Sequence, residues 1–228
     1  MSLLGGLRGG LIVSVQAWPG SAIDDPYVIA AMARAAVENG AVAVRIQGVA
    51  NIQAVRARLD LPIVGLIKRE YAGYEPYITP TIEEVRAIVS AGADVVAFDA
   101  TPRPRPGGVT VASLVAAIAA AGRVAMADCA TARDAVSARE AGAEILATTL
   151  CGYTPGTQGS VLPALGLVRE LAAMGGFAIC EGGVSRPDQV RAALDAGAGA
   201  VVVGTAITNI DSLVRGFAGS ADTRPKPH

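Results

Sequence analysis

Short apolar runs alternate with helix signals along most of the chain. Four of these runs follow a glycine that comes directly after a helical stretch, and the four glycines are 52, 50 and 55 residues apart. A glycine just past a helix supplies the left-handed conformation that ends it, and an unbroken apolar run is typical of a strand buried on both faces. The glycines that mark this repeat are Gly40, Gly92, Gly142 and Gly197.

Each interval of the repeat is about twice the length of one strand–helix unit, so each should contain a second strand. Short apolar runs lie near the required places, at residues 11–16, 63–68, 124–128 and 177–181. The pattern therefore predicts eight strands.

Helix start signals fall between these strands. Thr81 and Thr131 are each followed three residues later by an acidic residue, as in a capping box, and Ser185 begins a similar sequence. Alternating helices and continuous apolar strands predict a parallel sheet. Eight such units predict a single (β/α)8 TIM barrel over residues 1–218, followed by a polar tail at 219–228. The rival, a doubly wound open sheet, needs no such repeat.

Composition narrows the class of protein. Hydrophobic residues make up 52% of the 228 residues and charged residues 17%, which is enough apolar material for a sizeable core. The net charge of -1 gives no basic footprint for nucleic acid, and no apolar stretch is long enough to suggest a membrane span. The three cysteines have neither disulfide nor metal-site spacing. We expect a cytoplasmic protein without nucleic-acid or membrane partners.

Polar residues collect at one end of nearly every predicted strand. In a (β/α)8 barrel the active site lies at the carboxyl ends of the strands. A purely structural barrel does not require polar residues there, although any single one could be a helix cap or a rim ion pair. The candidates are Gln16, Arg45, Lys68, Asp99, Asp128, Thr149, Glu181 and Thr205.

Lys68 and Glu181 form the most informative pair. Each closes an apolar run, where a charge is costly unless a site uses it. A desolvated lysine becomes a general base or a Schiff-base amine, and the glutamate is a complementary acid. Two such groups on opposite sides of one carbon can remove a proton and return one on the other face. The alternatives are a rim lysine paired with a carboxylate and a glutamate that caps a helix.

Two glycine-containing turns follow the seventh and eighth predicted strands. Gly182 and Gly183 follow one, and Gly204 with Thr205 follows the other. Backbone N–H groups in this position usually hold phosphate in barrels. The substrate predicted from these turns is a phosphorylated small molecule.

A stiff basic loop at 101–108 contains Arg103 between prolines. It either helps to hold an anionic or hydroxylated substrate or is a solvated loop stiffened by proline. The only histidine is His228, in the tail, so histidine-dependent triads are not expected. Asp99, Asp128 and Glu181 have no histidine beside them, and we expect no metal site.

Eight segments match one known family across nearly the whole chain. They lie at 11–17, 65–69, 78–81, 99–106, 126–128, 148–154, 180–182 and 203–208. In these segments the chain resembles the N-acetylmannosamine-6-phosphate 2-epimerases of bacterial sialic acid breakdown. The resemblance implies a (β/α)8 barrel and a cofactor-free interconversion of N-acetylmannosamine 6-phosphate and N-acetylglucosamine 6-phosphate.

The resemblance also implies roles for individual residues. Lys68 and Glu181 correspond to a catalytic pair acting at C2 of the sugar. The residues implied to bind the sugar or to open its ring are Gln16, Arg45 and Asp128, and we add Arg103 and Tyr153 as substrate-binding candidates. The phosphate loops correspond to Gly182, Gly183, Gly204 and Thr205.

Two positions depart from the family pattern. Gly183 stands where the family usually has a basic or larger polar residue, and Asn209 stands where it usually has arginine. Both lie near the expected phosphate, so phosphate affinity and substrate identity are open from the sequence.

Two other functions remain compatible with the residues. Lys68 could form a Schiff base in an aldolase-type barrel, or the chain could be a non-catalytic sugar-phosphate sensor. We also expect a homodimer, formed through the C-terminal helix near residues 211–217.

Overall fold

The computed structural model describes residues 2–221 and contains a closed barrel of eight parallel strands. Each strand pairs with its neighbour in the sequence, and the last strand closes the barrel by pairing with the first. The predicted (β/α)8 barrel is confirmed, and the open doubly wound sheet is excluded. The strands are β1 (Gly10–Val15), β2 (Ala41–Gln47), β3 (Ile63–Leu66), β4 (Val95–Asp99), β5 (Val124–Asp128), β6 (Ile145–Ala147), β7 (Phe177–Cys180) and β8 (Ala200–Val203).

Helices surround the barrel. Besides a short 3-10 turn at Pro106–Gly108, the described residues form α1 (Leu3–Leu7), α2 (Pro26–Glu38), α3 (Val49–Arg56), α4 (Ile82–Ser90), α5 (Val111–Ala120), α6 (Ala132–Glu140), α7 (Leu165–Ala173), α8 (Pro187–Asp195), α9 (Thr205–Thr208) and α10 (Ile210–Ala221). None of these helices has the length and apolar character needed to cross a membrane.

The first helix, α1, was not predicted. It precedes β1, and its Leu7 is fully buried against residues that fill the inside of the barrel. The N–H of Gly9 then donates to the carbonyl of Gly199, the residue before β8. Helix α1 therefore closes the amino-terminal end of the barrel, opposite the ends of the strands where polar residues collect.

Inward and outward residues alternate along each strand. In β1, Ile12 packs inside the barrel, whereas Val13 packs against the helices. In β2, Ala43 and Val44 divide in the same way. Because both faces of the sheet are covered, the strands read as unbroken apolar runs.

The helix starts agree with the sequence at two of three predicted capping boxes. Thr81 and Thr131 each cap a helix with the reciprocal hydrogen bonds expected. The box predicted from Ser185 is wrong, because Arg186 is the N-cap residue of α8. The side chain of Gln189 accepts hydrogen bonds from the backbone N–H groups of both residues.

Two boundaries differ from the sequence-based assignment. Strand β3 ends at Leu66, so Lys68 lies just beyond the strand in an extended segment. Helix α10 continues to Ala221, past the predicted domain end at residue 218. The remaining part of the predicted tail, 222–228 with His228, lies outside the described residues.

Gly65 is the position in β3 where the packing leaves least room. A Cβ atom there would lie 2.6 Å from Cγ2 of Ile88 and 2.7 Å from Cβ of Ala93. We expect Gly65→Ala to lower the free energy of unfolding by about 1–3 kcal/mol, since overpacking forces its neighbours apart. Gly166→Ala is the control, because Gly166 in α7 has no atom within 4 Å of the added group. Urea unfolding of both variants tests this, and equal stability of Gly65→Ala and the parent would contradict it.

Candidate active site

A cavity of about 630 Å³ opens at the carboxyl ends of the strands. Its size lies within the range typical of small-molecule sites. The structure brings ten of the predicted site residues to its walls. These are Gln16, Arg45, Lys68, Thr149, Tyr153, Glu181, Gly182, Gly183, Gly204 and Thr205.

The alternation of the strands explains why these side chains meet. Ala43, Met126 and Ile179 all belong to the cluster that fills the barrel interior. Because side chains on a strand alternate between two faces, the residue two positions later also points inward. Those positions hold Arg45 and Asp128, so the interior changes there from apolar to charged. Glu181, two residues after Ile179, follows the same alternation.

Arg45 is the central cation of the site and is almost completely buried. It donates two hydrogen bonds to Asp128, with Nη1–Oδ1 and Nη2–Oδ2 distances of 3.0 and 2.7 Å. Its Nη1 also donates to Oε2 of Glu181 at 2.8 Å. Burial alone would lower the pKa of Arg45, but the two carboxylates outweigh burial and raise that pKa above its ordinary value. Arg45 therefore stays charged and holds both acids in place.

Thr149, one of the strand-end candidates, and its neighbour Thr148 complete the network. The Oγ1 atom of Thr149 lies 2.7 Å from Oδ1 of Asp128 and 3.1 Å from Oε2 of Glu181. Thr148 accepts the backbone N–H of Glu181 at 3.0 Å and donates to its carbonyl at 2.8 Å. Thr149 comes two residues after the inward-facing Ala147, so strand alternation explains why this candidate faces the cavity.

The carboxyl group of Glu181 has a pKa close to neutral pH. Burial raises the pKa of its carboxyl group, Arg45 lowers it and Asp128 raises it, and together they set the pKa of Glu181 at about 7. Thr149 and Lys68 also lower it. Glu181 can therefore carry a proton at physiological pH, as a general acid requires.

Lys68 has the opposite shift. Burial lowers the pKa of its amine, the nearby charge of Arg45 lowers it further, and Glu181 and Asp128 oppose both effects. The side chain of Lys68 is in contact with water in the open cavity. Protein atoms nevertheless surround it on most sides, and they desolvate the amine enough to lower its pKa. Within the described residues no carboxylate pairs with Nζ of Lys68, which argues against a rim ion pair.

Two further polar groups face the cavity. Nε2 of Gln16 donates to Oγ of Ser14 at 2.8 Å, while its buried Oε1 has no partner in the described part of the chain. Tyr77, which was not predicted, also lines the cavity. Burial, followed by the charges of Asp128 and Asp99, raises the pKa of its phenol, so Tyr77 stays a neutral hydrogen-bond donor.

Arg103 does not line the cavity. Its guanidinium donates to Oδ2 of Asp99 at 2.7 Å and to Oε2 of Glu75 at 3.1 Å, and its Nε donates to Thr101. Arg105 in the same loop is buried and also pairs with Asp99, so ion pairs hold residues 101–108 in place. A contact between Arg103 and the substrate stays a prediction.

The two glycine turns lie at one end of the cavity beside α9. Gly183 has a φ of 71°, and a Cβ atom there would lie 2.4 Å from Cβ of Leu162, so a larger residue would require Leu162 to move. Asn209 lines the same end, and its Oδ1 accepts the N–H of Ser212. Besides Arg45 and Lys68, the described residues that line the cavity include no cationic side chain.

Residues 2–221 contain no group of three or more histidine, cysteine, aspartate or glutamate side chains arranged to hold a metal ion. The arrangement around Arg45 is instead an acid–base network, with one amine and one carboxyl group of shifted pKa open to the same cavity.

Comparison with known proteins identifies the family. A family model described as "Putative N-acetylmannosamine-6-phosphate epimerase" matches residues 29–223. This chain belongs to the N-acetylmannosamine-6-phosphate 2-epimerase family. A Salmonella typhimurium member, named "Putative N-acetylmannosamine-6-phosphate 2-epimerase 1", is 45% identical over 223 residues, covering 95% of this chain and 97% of that protein. A Klebsiella pneumoniae member is 48% identical over 206 residues, covering 90% of this chain and 86% of that protein.

A solved structure of the family has the same architecture. The N-acetylmannosamine-6-phosphate 2-epimerase from Clostridium perfringens superimposes with a TM-score of 0.93 at 39% identity, and the match covers 96% of each chain. The resemblance noted from eight sequence segments is thereby confirmed along nearly the entire chain.

The raised pKa of Glu181 makes stability depend on pH. The pKa lies above the ordinary value of 4.5, so the folded state binds the proton of Glu181 more tightly than the unfolded state does. The stability that this proton contributes is fully present below pH 4.5 and is lost as pH rises through about 7. Glu181→Gln removes this titration, and we expect the variant to gain stability relative to the parent over that interval. The gain should reach at most about 3 kcal/mol, from about 1.4 kcal/mol per pKa unit.

Urea unfolding of the parent and Glu181→Gln at pH 4.5 and pH 8 measures the difference. Asp188→Asn is a suitable control, because Asp188 is on the surface and, among residues 2–221, pairs only with Arg186. A stability difference that is the same at both pH values would contradict the raised pKa.

Proposed function

We propose that this chain interconverts N-acetylmannosamine 6-phosphate and N-acetylglucosamine 6-phosphate by proton transfer at C2. The observation that carries the proposal is the pair Lys68 and Glu181, which line one cavity with pKa values shifted toward each other. Family membership supplies the substrate, and acid–base side chains are sufficient for the chemistry without a cofactor. The reaction belongs to the breakdown of amino sugars.

The proposed reaction begins when the sugar ring opens. The aldehyde at C1 acidifies the C2–H bond, and the neutral amine of Lys68 removes that proton from the manno substrate. The protonated carboxyl of Glu181 then delivers a proton to the opposite face of C2. Lys68 is left protonated and Glu181 ionised, and exchange with water restores the starting state. The reverse reaction uses the same groups with exchanged roles.

The other cavity residues are assigned to binding. Arg45, held by Asp128 and Glu181, provides the positive charge that stabilises the developing enolate oxygen. The unpartnered Oε1 of Gln16 suits a donor such as a substrate hydroxyl or amide N–H. Tyr153 lies at the cavity wall, where its ring can contact the sugar.

The phosphate is assigned to the end of the cavity with the two glycine turns. Gly182, Gly183, Gly204 and Thr205 offer backbone N–H groups there. Asn209 adds an amide group in place of an arginine side chain. We propose that neutral donors hold most of the phosphate charge in this protein.

Proton NMR in heavy water tests the roles of the pair. Lys68→Ala should lose both epimerisation and deuterium incorporation at C2 of N-acetylmannosamine 6-phosphate, by at least about 10²–10⁴-fold, the usual contribution of a general base. Glu181→Gln should still exchange that C2 proton for deuterium. The deuteron should be added back on the same face, so the configuration at C2 should not invert. Wild-type exchange in Lys68→Ala would contradict the scheme.

Two further measurements with the same substrate distinguish the other two functions. A Schiff base between Lys68 and the substrate would be trapped by borohydride as a stable adduct, whereas proton transfer gives none. Binding without exchange or turnover would favour a sugar-phosphate sensor.

A homodimer through α10 remains a proposal. No residue of α10 is buried, and Ile210, Val214 and Phe217 are 52%, 58% and 79% exposed along one face of the helix. Contiguous exposed apolar residues are typical of an interaction surface, which supports self-association there.

Charge substitutions on α10 test the dimer. Phe217→Asp should convert the dimer to a monomer in light scattering after size exclusion, because it places a charge in the apolar interface. Gly219→Asp adds the same charge on the opposite face, where the site is open, and should leave the dimer intact. A protein that is monomeric before any substitution would contradict this proposal.

The cellular location also remains a proposal. Cys129, Cys151 and Cys180 are all free and buried. Free thiols without a disulfide framework are the usual state in a reducing cytoplasm, which supports that location.

A further inference from the structure

Lys68 lies on the outgoing arm of a short hairpin at the end of β3. The chain returns through 77–79, and Ile78 forms an antiparallel bridge with Lys68. The N–H of Arg69 donates to the carbonyl of Tyr77 at 2.9 Å. The backbone that carries Lys68 is therefore fixed by a segment that follows it in the sequence.

Thr79 closes the base of this hairpin in an unusual conformation. Its φ is 45°, and in the part of the chain that the structure describes it is the one non-glycine residue with positive φ. It is fully buried. A β-branched residue in the left-handed region is strained and persists only when its surroundings hold it there.

Both polar groups of Thr79 bond to the residue that precedes Lys68. The N–H of Thr79 donates to the carbonyl of Ile67 at 2.7 Å. Its Oγ1 accepts the N–H of Ile67 at 3.2 Å. The hydroxyl thus satisfies a buried backbone donor that would otherwise have no partner, and it sets the direction in which the chain enters Lys68.

Other contacts hold the parts of the hairpin that lie farther from Thr79. The carbonyl of Ile78 accepts the N–H of Asp99, which ties the returning arm to β4. Glu75 at the far end pairs with Arg103, and Tyr71 donates to Glu84 at 3.0 Å. These contacts fix the body of the hairpin, whereas Thr79 fixes the residue next to the amine.

We propose that Thr79 is a positioning residue for Lys68, whose hydroxyl and left-handed backbone hold the Lys68 amine at the distance from C2 that proton removal needs. The proposal rests on the proposed role of Lys68 as the base. It explains why a strained, buried threonine occurs beside a catalytic strand end. Strain of this kind is typical of sites where a side chain must be held in advance of the reaction.

Steady-state kinetics of Thr79→Val test this inference. Valine keeps the shape of the side chain and removes the acceptor for Ile67. We expect kcat to fall by about 10–100-fold with KM within about twofold, because small misplacements of a reacting group have effects of that size. Thr79→Ser restores the hydroxyl and should recover kcat to within about threefold of the parent.

The pH profile supplies a second measurement. Arg45, Glu181 and Asp128 are the charged groups that act on the amine. If Thr79→Val lets Lys68 move toward water, the pKa of Lys68 should rise, and the limb of the kcat profile that reports Lys68 should shift to higher pH. Thr110→Val is the matched control: it removes a hydroxyl that caps α5 and should lower stability without changing kcat or the profile.

Three results would overturn the inference. They are parental kcat and pH profile in Thr79→Val, equal loss of kcat in Thr79→Ser, and the same kinetic change in Thr110→Val. If Thr79→Val does not fold, Thr79→Ala removes the same hydroxyl with a smaller side chain and is judged by the same criteria. Parental activity in Lys68→Ala would instead refute the proposed role of Lys68 as the base, and absence of epimerisation by the parent would refute the proposed function, so these failures are distinguishable.

Discussion

The site depends on one buried cation shared by two carboxyl groups. Arg45 contacts both Asp128 and Glu181, and one positive charge cannot fully compensate two negative ones in a buried place. The least costly state keeps a proton on one of the acids, and the pKa of about 7 identifies Glu181 as the acid that takes it. Burial lowers the pKa of Lys68, and the same cation lowers it further. Burial therefore shifts the pKa values of both groups toward each other, while Arg45 fixes the two carboxyl groups in place.

The barrel makes this arrangement possible because it closes. Arg45 and Asp128 come from β2 and β5, and Glu181 follows β7, so no local segment could bring them together. Apolar residues below them fill the interior and exclude water, which strengthens each charge interaction. The hairpin after β3 adds Lys68 from the side.

Much of the fold was predictable because its signals are local and repeated. The glycine repeat and the capping boxes at Thr81 and Thr131 each reflect a short stretch of backbone. Strand alternation also predicts part of the site. Residues two positions past Ala43 and Met126 must face the same interior as those residues. Helix α1 was missed because it is short and lacks a periodic pattern. The ion pair between Arg103 and Glu75 was not predicted, because Glu75 lies 28 residues earlier in the chain.

The sequence by itself determined the barrel, the end of it that carries chemistry and the residue types available there. These follow from periodicity, helix capping and the cost of placing a charge after an apolar strand. Only the tertiary structure decided which groups share a proton, through Arg45 and Thr149, and which residue holds Lys68. Those relations depend on distances between distant segments and on the strained backbone of Thr79, which no local pattern encodes.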